Sequence, residues 1–192
     1  GTSVKTITIV QARMGSTRLP NKVMLPVSTG IPMIEVLLRR LSKSTETKQI
    51  VLATSNNPSD RPLADYVREL GFTVFLGSEN DVLDRYYQAA ELHYPDVVVR
   101  ITGDCPLIDP DVVDDVVKKY KTSNADYVSN TSPPTYPDGL DVEVFSFKAL
   151  ERSWREASEP HEREHVTPYM RESGHFVIGN FTNKENCSDE RW

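Results

Sequence analysis

The sequence predicts an α/β fold with three layers, α/β/α, built on a mostly parallel sheet. Short apolar segments alternate with helices of 3.6-residue periodicity, and several of those helices carry start and stop signals. One segment, Val97–Ile101, is predicted from its apolar run to be a strand buried on both faces. The length of 192 residues fits one domain, so residues 1–192 are expected to share a single core.

Helical periodicity and capping residues predict the individual helices and strands along the chain. Met33–Leu41 carries apolar residues at i, i+1, i+4, i+5 and i+8, which is the pattern of an amphipathic helix. Pro62 near the first turn and Gly71 as a stop delimit a second helix, and Asp81 caps a third. The predicted strands are Val4–Val10, Gln49–Ala53, Phe72–Leu76 and Val97–Ile101, and the predicted helices after the first are Arg61–Leu70, Asp81–Leu92 and Asp109–Lys121.

The alternation of strand and helix changes after Ala125. Strands are expected at Tyr127–Ser129 and Asp141–Ser146, separated by a loop rich in Pro, Thr and Ser, and a helix is expected over residues 147–156. We expect residues 126–160 to form a strand pair or a smaller subdomain, folded over the sheet edge, that serves substrate binding or dimerisation. The apolar residues of its helix, which include Trp154, are expected in a core or an interface.

Composition excludes several classes of protein. The net charge of −6 argues against a general nucleic-acid binder, for which a basic face is expected. No apolar run reaches the length of a membrane span, and no secretory signal opens the chain. Two cysteines, Cys105 and Cys187, are too few for a disulfide framework, which predicts the reducing cytoplasm.

The most informative segment is the loop after the first strand. No Asp or Glu precedes Glu35, so the segment is basic within an acidic chain. Gly15 permits close backbone approach and Ser16 offers a hydroxyl, while Arg13, Arg18 and Lys22 supply positive charge. These residue types suit phosphate binding, although they match neither the P-loop nor the dinucleotide motif. A solvated surface loop is the alternative.

Two further segments follow strands and are expected at the same carboxyl edge of the sheet. Gly103 allows a sharp turn that exposes Asp104, and a lone carboxylate there suits Mg²⁺ shared with substrate phosphates. The alternative is that Asp104 caps the next turn. The segment Thr54–Asn56 follows the second strand, so Ser55 is a candidate for the nucleotide pocket, and polar loop composition explains it equally well.

Carboxylates also surround the turn at Asp138–Gly139. Asp141 and Glu143 fall on one face of the following strand, where they suit sugar hydroxyls or an exposed, solvated face. Further along, residues 161–165 spell H-E-x-x-H, but flanking prolines and charges disfavour a zinc helix. Surface ion pairing is the alternative there.

The first motif resembles that of the sugar-activating cytidylyltransferases, the family of CMP-Kdo and CMP-sialate synthetases. The pattern A-R-x-x-S-x-R-L-P-x-K is present from Ala12 to Lys22, followed by P-M-I at residues 32–34. The similarity continues through residues 101–110 and 138–146 and looks closest to the branch of spore-coat polysaccharide synthesis. It implies a nucleotide-diphospho-sugar transferase-like fold of the GT-A/Rossmann-like type.

The resemblance implies transfer of CMP from CTP to a sugar or sugar acid with release of pyrophosphate, and a homodimer through residues 130–160. The implied catalytic residues are Arg13, Lys22 and Asp104, with Asp104 holding Mg²⁺. The implied nucleotide-binding residues are Ala12, Gly15, Ser16, Arg18, Ser55 and Gly103, and the implied substrate-binding residues are Asp138, Asp141, Glu143, Arg163 and His165.

Similar enzymes also have a later strand with a second metal-binding aspartate, which does not occur before Trp192. We therefore expect a truncated domain that binds nucleotide but catalyses the reaction poorly. The alternative is that the second metal ligand comes from elsewhere, with Asp141 as the nearest candidate. Two other functions stay open: a GT-A-type glycosyltransferase that uses a nucleotide-sugar donor, and a nucleotide-binding module without catalysis. The sequence does not name the acceptor sugar.

Overall fold

Seven strands form one sheet in the computed structural model, which describes residues 4–12, 33–47, 49–102, 109–129 and 142–180. The strands are β1 (Thr6–Gln11), β2 (Gln49–Ser55), β3 (Thr73–Gly77), β4 (Val97–Thr102), β5 (Tyr127–Ser129), β6 (Val142–Ser146) and β7 (Ile178–Asn180). Their order across the sheet is β3-β2-β1-β4-β6-β5-β7.

The first four strands are parallel to one another and confirm the predicted fold class. β1 lies between β2 and β4, with Gln11 paired with Ala53 on one side and Thr102 on the other. β3 continues the parallel part beside β2. Parallel strands end at a common edge, so the chain leaves β1, β2 and β4 on the same side of the molecule.

Helices cover both faces of the sheet. They are α1 (Met33–Leu41), α2 (Arg61–Glu69), α3 (Val82–Glu91), α4 (Pro110–Thr122), α5 (Phe147–Glu156), α6 (Pro160–His165) and α7 (Pro168–Glu172). One apolar cluster packs α1, α2 and α4 on the sheet, and a second packs α3, α5 and α7 on its other face. Ile9 belongs to the second cluster and Val10 to the first, because successive side chains of β1 point to opposite faces of the sheet.

The predicted caps are formed as expected. The Asp81 carboxylate accepts a hydrogen bond from the backbone N–H of Asp84 at 3.1 Å, and the Asp109 carboxylate accepts one from Asp111 at 2.8 Å. The predicted helix and strand bounds differ from the observed ones by no more than two residues, whereas α6, α7 and β7 were not predicted. No helix in the described part of the chain is long and apolar enough to cross a membrane.

The strands after Ala125 extend the sheet instead of folding over its edge. β6 is antiparallel to β4, in a register that runs from Val97 opposite Ser146 to Ile101 opposite Val142. β5 pairs with β6, and β7 runs parallel to β5. The expected strand pair is therefore present as β5 and β6, and it lies within the sheet because backbone hydrogen bonds join β6 to β4. The role of these residues in substrate binding or dimerisation stays a prediction.

Candidate active site

β1 and β4 end, and β6 begins, at the carboxyl edge of the parallel strands. Residues 13–32 follow β1, residues 103–108 follow β4, and residues 130–141 precede β6. Gln11 is paired with Thr102, and Ile101 is paired with Val142, so all three connections leave or enter the sheet at neighbouring positions. The sheet topology thus supports the expectation that these connections form one site.

Most of the predicted site residues belong to these three connections. They lie outside the described residues and keep their predicted roles as predictions; they are Arg13, Gly15, Ser16, Arg18, Lys22, Gly103, Asp104, Asp138 and Asp141. The described ones are Ala12, Ser55, Glu143, Arg163 and His165.

Ala12 and Ser55 lie at the ends of β1 and β2, and both are buried. The Ala12 side chain packs in the apolar cluster that includes Val10 and Ile34. The Ser55 hydroxyl hydrogen-bonds the Asp60 carboxylate and accepts a bond from the Asn57 backbone N–H at 3.2 Å. Ser55 therefore shapes the turn after β2, and its contact with nucleotide stays a prediction.

Glu143 is the centre of a buried hydrogen-bond network. Its carboxylate accepts a bond from Arg100 Nη1 at 2.6 Å on one oxygen, and bonds from the hydroxyls of Tyr127 and Thr167 on the other. Only 6% of Glu143 is exposed, so the alternative of an exposed, solvated strand face is wrong for this residue. Its partners come from three different elements, and the network ties β4, β5 and the start of α7 to β6.

The network keeps Glu143 ionised despite its burial. Burial alone raises the pKa of this carboxyl, but the Arg100 charge and the hydrogen bonds from Tyr127, Thr167 and Arg100 outweigh it, and the pKa is lowered from its usual value. The same burial, together with the neighbouring Glu143 charge, raises the pKa of the Tyr127 hydroxyl. Burial also raises the pKa of Tyr86, whose ring lies under the Arg100 guanidinium, to about 12.

Arg100 also orients Gln11, the last residue of β1. Arg100 Nη2 donates to Gln11 Oε1 at 3.0 Å. With the oxygen occupied, the amide nitrogen of Gln11 is the atom that can face a ligand, and it carries two N–H donors. Sequence reasoning missed both residues. A lone arginine inside an otherwise apolar strand was the signal for the network, because a buried charge requires a partner.

A cavity of about 530 Å³ opens beside Gln11, at the carboxyl edge. Its walls are the end of β1, the connection between β3 and α3, the first turns of α3, and α6. The described lining residues are Gln11, Glu79, Asn80, Asp81, Val82, Arg85, Pro160, Arg163, Glu164 and His165. Two predicted substrate residues, Arg163 and His165, are therefore found together with residues that sequence reasoning did not select.

Arg163 joins α6 to the start of α3, and both line this cavity. Its Nε and Nη2 atoms donate to the two carboxylate oxygens of Asp81 at 3.0 and 2.9 Å. Its Nη1 atom donates to the backbone oxygens of Trp154 and Ala157 at 2.7 and 3.3 Å. The ion-pairing alternative holds for Arg163, in a two-bond geometry that joins α6 to the cap of α3.

Arg85 fixes the opposite wall of the cavity. This side chain is 1% exposed, and it donates to the backbone oxygens of Ser78 at 2.9 Å and Glu79 at 3.0 Å. The Glu79 carboxylate in turn accepts a bond from the Asn57 side-chain amide at 2.7 Å. A buried arginine thus sets the backbone path of the connection that lines the cavity.

The two histidines of the H-E-x-x-H segment are not part of a metal-binding cluster among the described residues. His161 and His165 have exposed side chains, whose nearest carboxylates are those of Glu172 and Glu164, each at 3.9 Å. Within the described ranges, no group of three His, Cys, Asp or Glu side chains is arranged to hold a metal ion. His165 reaches the cavity, whereas His161 does not line it.

Comparison with known proteins places these features in context. A family model described as cytidylyltransferase matches residues 7–183. An uncharacterised protein of Methanocaldococcus jannaschii is 45% identical over 170 residues, and the match spans 88% of this chain and 68% of that protein. The spore coat polysaccharide biosynthesis protein SpsF of Bacillus subtilis is 36% identical over 168 residues, spanning 85% of this chain and 68% of SpsF.

A solved structure with a similar fold is that of a cytidylyltransferase from Leptospira borgpetersenii. It superposes with a TM-score of 0.89 at 34% identity, over 96% of this chain and 78% of that one. The similarity therefore extends over nearly the whole chain.

Proposed function

Because the chain belongs to the cytidylyltransferase family, and is thereby a nucleotidyltransferase, we propose that it transfers CMP from CTP to a sugar or sugar acid. In this reaction a sugar oxygen forms a bond to the α-phosphorus of CTP, and the bond from that phosphorus to pyrophosphate breaks. By analogy with SpsF, the product serves cell-surface polysaccharide synthesis, with the spore coat as one setting.

The observation that carries the proposal is that β1 and β4 end, and β6 begins, at neighbouring register positions on one edge of the sheet. Gln11 and Thr102 are register partners, and the next residues along the chain begin the basic loop and the Gly103–Asp104 segment. Cations and a carboxylate at one edge are the groups that phosphoryl transfer needs, since the protein mainly positions the substrates and neutralises charge.

The residues predicted in the loop after β1 and around the connection before β6 have distinct parts in this chemistry. Arg13 and Lys22 neutralise the triphosphate and the leaving pyrophosphate, with Arg18 beside them, while Gly15 and Ser16 offer backbone N–H groups. The connection before β6 faces the sugar through Asp138 and Asp141. Glu143 holds the end of that connection through its buried bonds to Arg100, Tyr127 and Thr167.

Magnesium fits the donors proposed for it. Asp104, on the segment that begins next to Thr102, would hold the ion through its carboxylate, with phosphate oxygens of the substrate and water as further ligands. When bound, the ion would neutralise charge on the phosphate oxygens.

Thermal unfolding with each nucleotide tests the proposal. We expect CTP with Mg²⁺ to stabilise the protein, and UTP, ATP and GTP to do so less. Ligand at a hundred times its dissociation constant adds about 2.7 kcal/mol, which for a chain of this size raises Tm by roughly 5–10 °C. Lys22→Ala should abolish the shift, whereas Lys43→Ala, an exposed lysine after α1, should leave it unchanged.

Other outcomes point to other functions. Stabilisation by a nucleoside-diphosphate sugar and by no free triphosphate would favour a glycosyltransferase. CTP binding without release of pyrophosphate from CTP, whichever sugar is added, would favour a binding module.

We further propose a cytoplasmic location, from the low cysteine content, and a homodimer through residues 130–160. Nucleic acid is not among the proposed partners, since the chain is acidic. Light scattering at several concentrations measures the oligomeric state directly.

A further inference from the structure

We infer that Thr167 is a positioning residue, which fixes the orientation of the Gln11 side-chain amide at the edge where CTP is proposed to bind. The Thr167 hydroxyl donates to Glu143 at 2.8 Å, and the other oxygen of Glu143 accepts from Arg100 at 2.6 Å. Arg100 then donates to Gln11 at 3.0 Å, so three hydrogen bonds lead from the turn before α7 to the end of β1. The inference rests on the proposed function and assigns no ligand contact to Thr167 itself.

Charge sets the direction of each hydrogen bond along this path. Arg171 Nε can only donate, and it donates to Thr167 Oγ1 at 3.3 Å, so the hydroxyl hydrogen of Thr167 is left for Glu143. Glu143 is ionised and accepts at both oxygens, whereas Arg100 donates both to Glu143 and to Gln11 Oε1. The path therefore holds the amide oxygen of Gln11 and leaves its NH₂ group for a ligand.

A strained turn holds Thr167 in place. Val166, directly before it, has a φ of 72° and a ψ of −55°, and the Thr167 backbone N–H donates to the His165 backbone oxygen at 2.8 Å. This geometry is the rare form of the γ-turn, and it is unfavourable for a β-branched residue. Val166 is nevertheless buried, in the apolar cluster that includes Met170. Strained backbone of this kind is concentrated at functional sites, which favours a role beyond packing.

The turn and the hydrogen-bond path together connect two walls of the cavity. His165 lines the cavity at the end of α6, and Thr167, two residues later, begins the path that ends at Gln11. Loss of the Thr167 hydroxyl would remove one of the donors that hold the Glu143 carboxylate. The Gln11 amide would then be less firmly held, although the substituted residue lies elsewhere in the fold.

Removal of the hydroxyl tests the inference. Thr167→Val keeps the branched shape of the side chain, and we expect it to weaken binding of CTP with Mg²⁺ about fivefold, by titration calorimetry on the full chain. Thr167→Ser keeps the donor and should bind CTP within about twofold of the natural protein. The control is Thr122→Val, which removes an exposed hydroxyl that donates to the Lys119 backbone oxygen in α4, and it should leave the affinity unchanged.

Gln11→Ala distinguishes positioning from a general loss of structure. Because Thr167 acts through Gln11, Thr167→Val should weaken CTP binding by less than about twofold when Gln11 is already alanine. A merely structural role would give the same factor in both backgrounds. Tyr127→Phe removes the other hydroxyl that donates to the same Glu143 oxygen, and it should also weaken CTP binding. This second variant carries the test if circular dichroism shows that Thr167→Val does not fold.

The outcomes separate the inference from the proposed function. Unchanged CTP affinity in folded Thr167→Val or in Tyr127→Phe would overturn the inference and leave the proposed function intact. An equal loss of affinity with and without the Gln11 side chain would do the same. Failure of the natural protein to bind CTP would overturn both.

Discussion

Arg100 and Glu143 stand directly opposite each other on neighbouring antiparallel strands, and their side chains form a buried ion pair with Nη1 2.6 Å from Oε1. The pair lies at the sheet edge where the proposed site is assembled, and it holds Gln11 on one side and Thr167 on the other. A buried ion pair contributes little net stability compared with apolar packing, but removing one partner is costly. The pair therefore serves chiefly to fix the relative positions of β1, β4, β6 and α7.

Glu143→Gln should destabilise the protein by about 3 kcal/mol at pH 7, because it leaves the Arg100 charge buried without a counter-charge. Urea unfolding measures the change. Glu69→Gln, an exposed glutamate at the end of α2, should change stability by no more than about 0.5 kcal/mol. Equal effects of the two substitutions would show that the ion pair does not constrain the fold.

The same substitution should change how stability depends on pH. The folded-state pKa of Glu143 is lowered, so its contribution is present above the unfolded pKa, near about 4.3, and is lost as pH falls through the folded pKa. The difference in unfolding free energy between the natural protein and Glu143→Gln should therefore shrink as pH falls below about 4. Unfolding curves at a series of acidic pH values measure it, and a constant difference would contradict the assignment of a charged Glu143.

Local rules predicted the helices α1 to α5 and the residues that begin them, because those signals lie within a few residues of one another. Asp81 and Asp109 are examples: each caps the helix that it precedes in the sequence. The ion pair of Arg100 with Glu143 escaped this reasoning because it depends on β6 pairing with β4, which a parallel pattern of alternating strands and helices does not specify.

The contacts that hold α4 in place were also not predicted, because they too join residues that are distant in the sequence. The buried carboxylate of Asp114 accepts hydrogen bonds from the backbone N–H groups of Thr45 and Glu46, about seventy positions away. In the sequence it is one of two adjacent aspartates, and only the packed structure distinguishes it from the exposed Asp115. For the candidate site, the sequence predicted which edge of the sheet it occupies and which motifs follow the strands there. It did not predict the cavity wall from Glu79 to Arg85, because that segment matches no motif.

Gln11→Glu should weaken CTP binding by at least about tenfold while leaving the fold intact. The new carboxylate still accepts the bond from Arg100, but it replaces the two amide donors and brings a negative charge beside the proposed triphosphate loop. Titration calorimetry measures the affinity. Gln49→Glu makes the same change at the start of β2, on the opposite edge of the sheet, and should have no effect. Unchanged affinity in Gln11→Glu would place the ligand elsewhere.

Arg163 and Asp81 should be energetically coupled. The Arg163 side chain is 22% exposed and the Asp81 side chain is 37% exposed, so solvent screening limits the expected coupling to about 1 kcal/mol. A double-mutant cycle with Arg163→Met and Asp81→Asn measures it by urea unfolding, and asparagine keeps the cap of α3 while removing the charge. Additive effects of the two substitutions would show that the pair does not join α6 to α3.

Gly77→Ala should impair ligand binding out of proportion to its effect on stability. A Cβ at this last residue of β3 would lie 2.8 Å from Arg85 Cγ and 2.8 Å from Phe75 Cε1. Arg85 is buried and holds the backbone of Ser78 and Glu79, so displacing it moves one wall of the cavity. We expect a loss of about 1–3 kcal/mol from the overpacking. We also expect weaker binding of any sugar that the natural protein binds.

Gly174→Ala provides the matched comparison for that substitution. Gly174 has a φ of +80° and no atom within 4 Å of an added Cβ. Alanine there costs about 1–2 kcal/mol through backbone strain alone, well away from the cavity lining. Both variants should therefore lose stability, as thermal unfolding would show, but only Gly77→Ala should bind sugar more weakly. Equal sugar binding by the two variants would mean that the position of Arg85 does not shape the cavity.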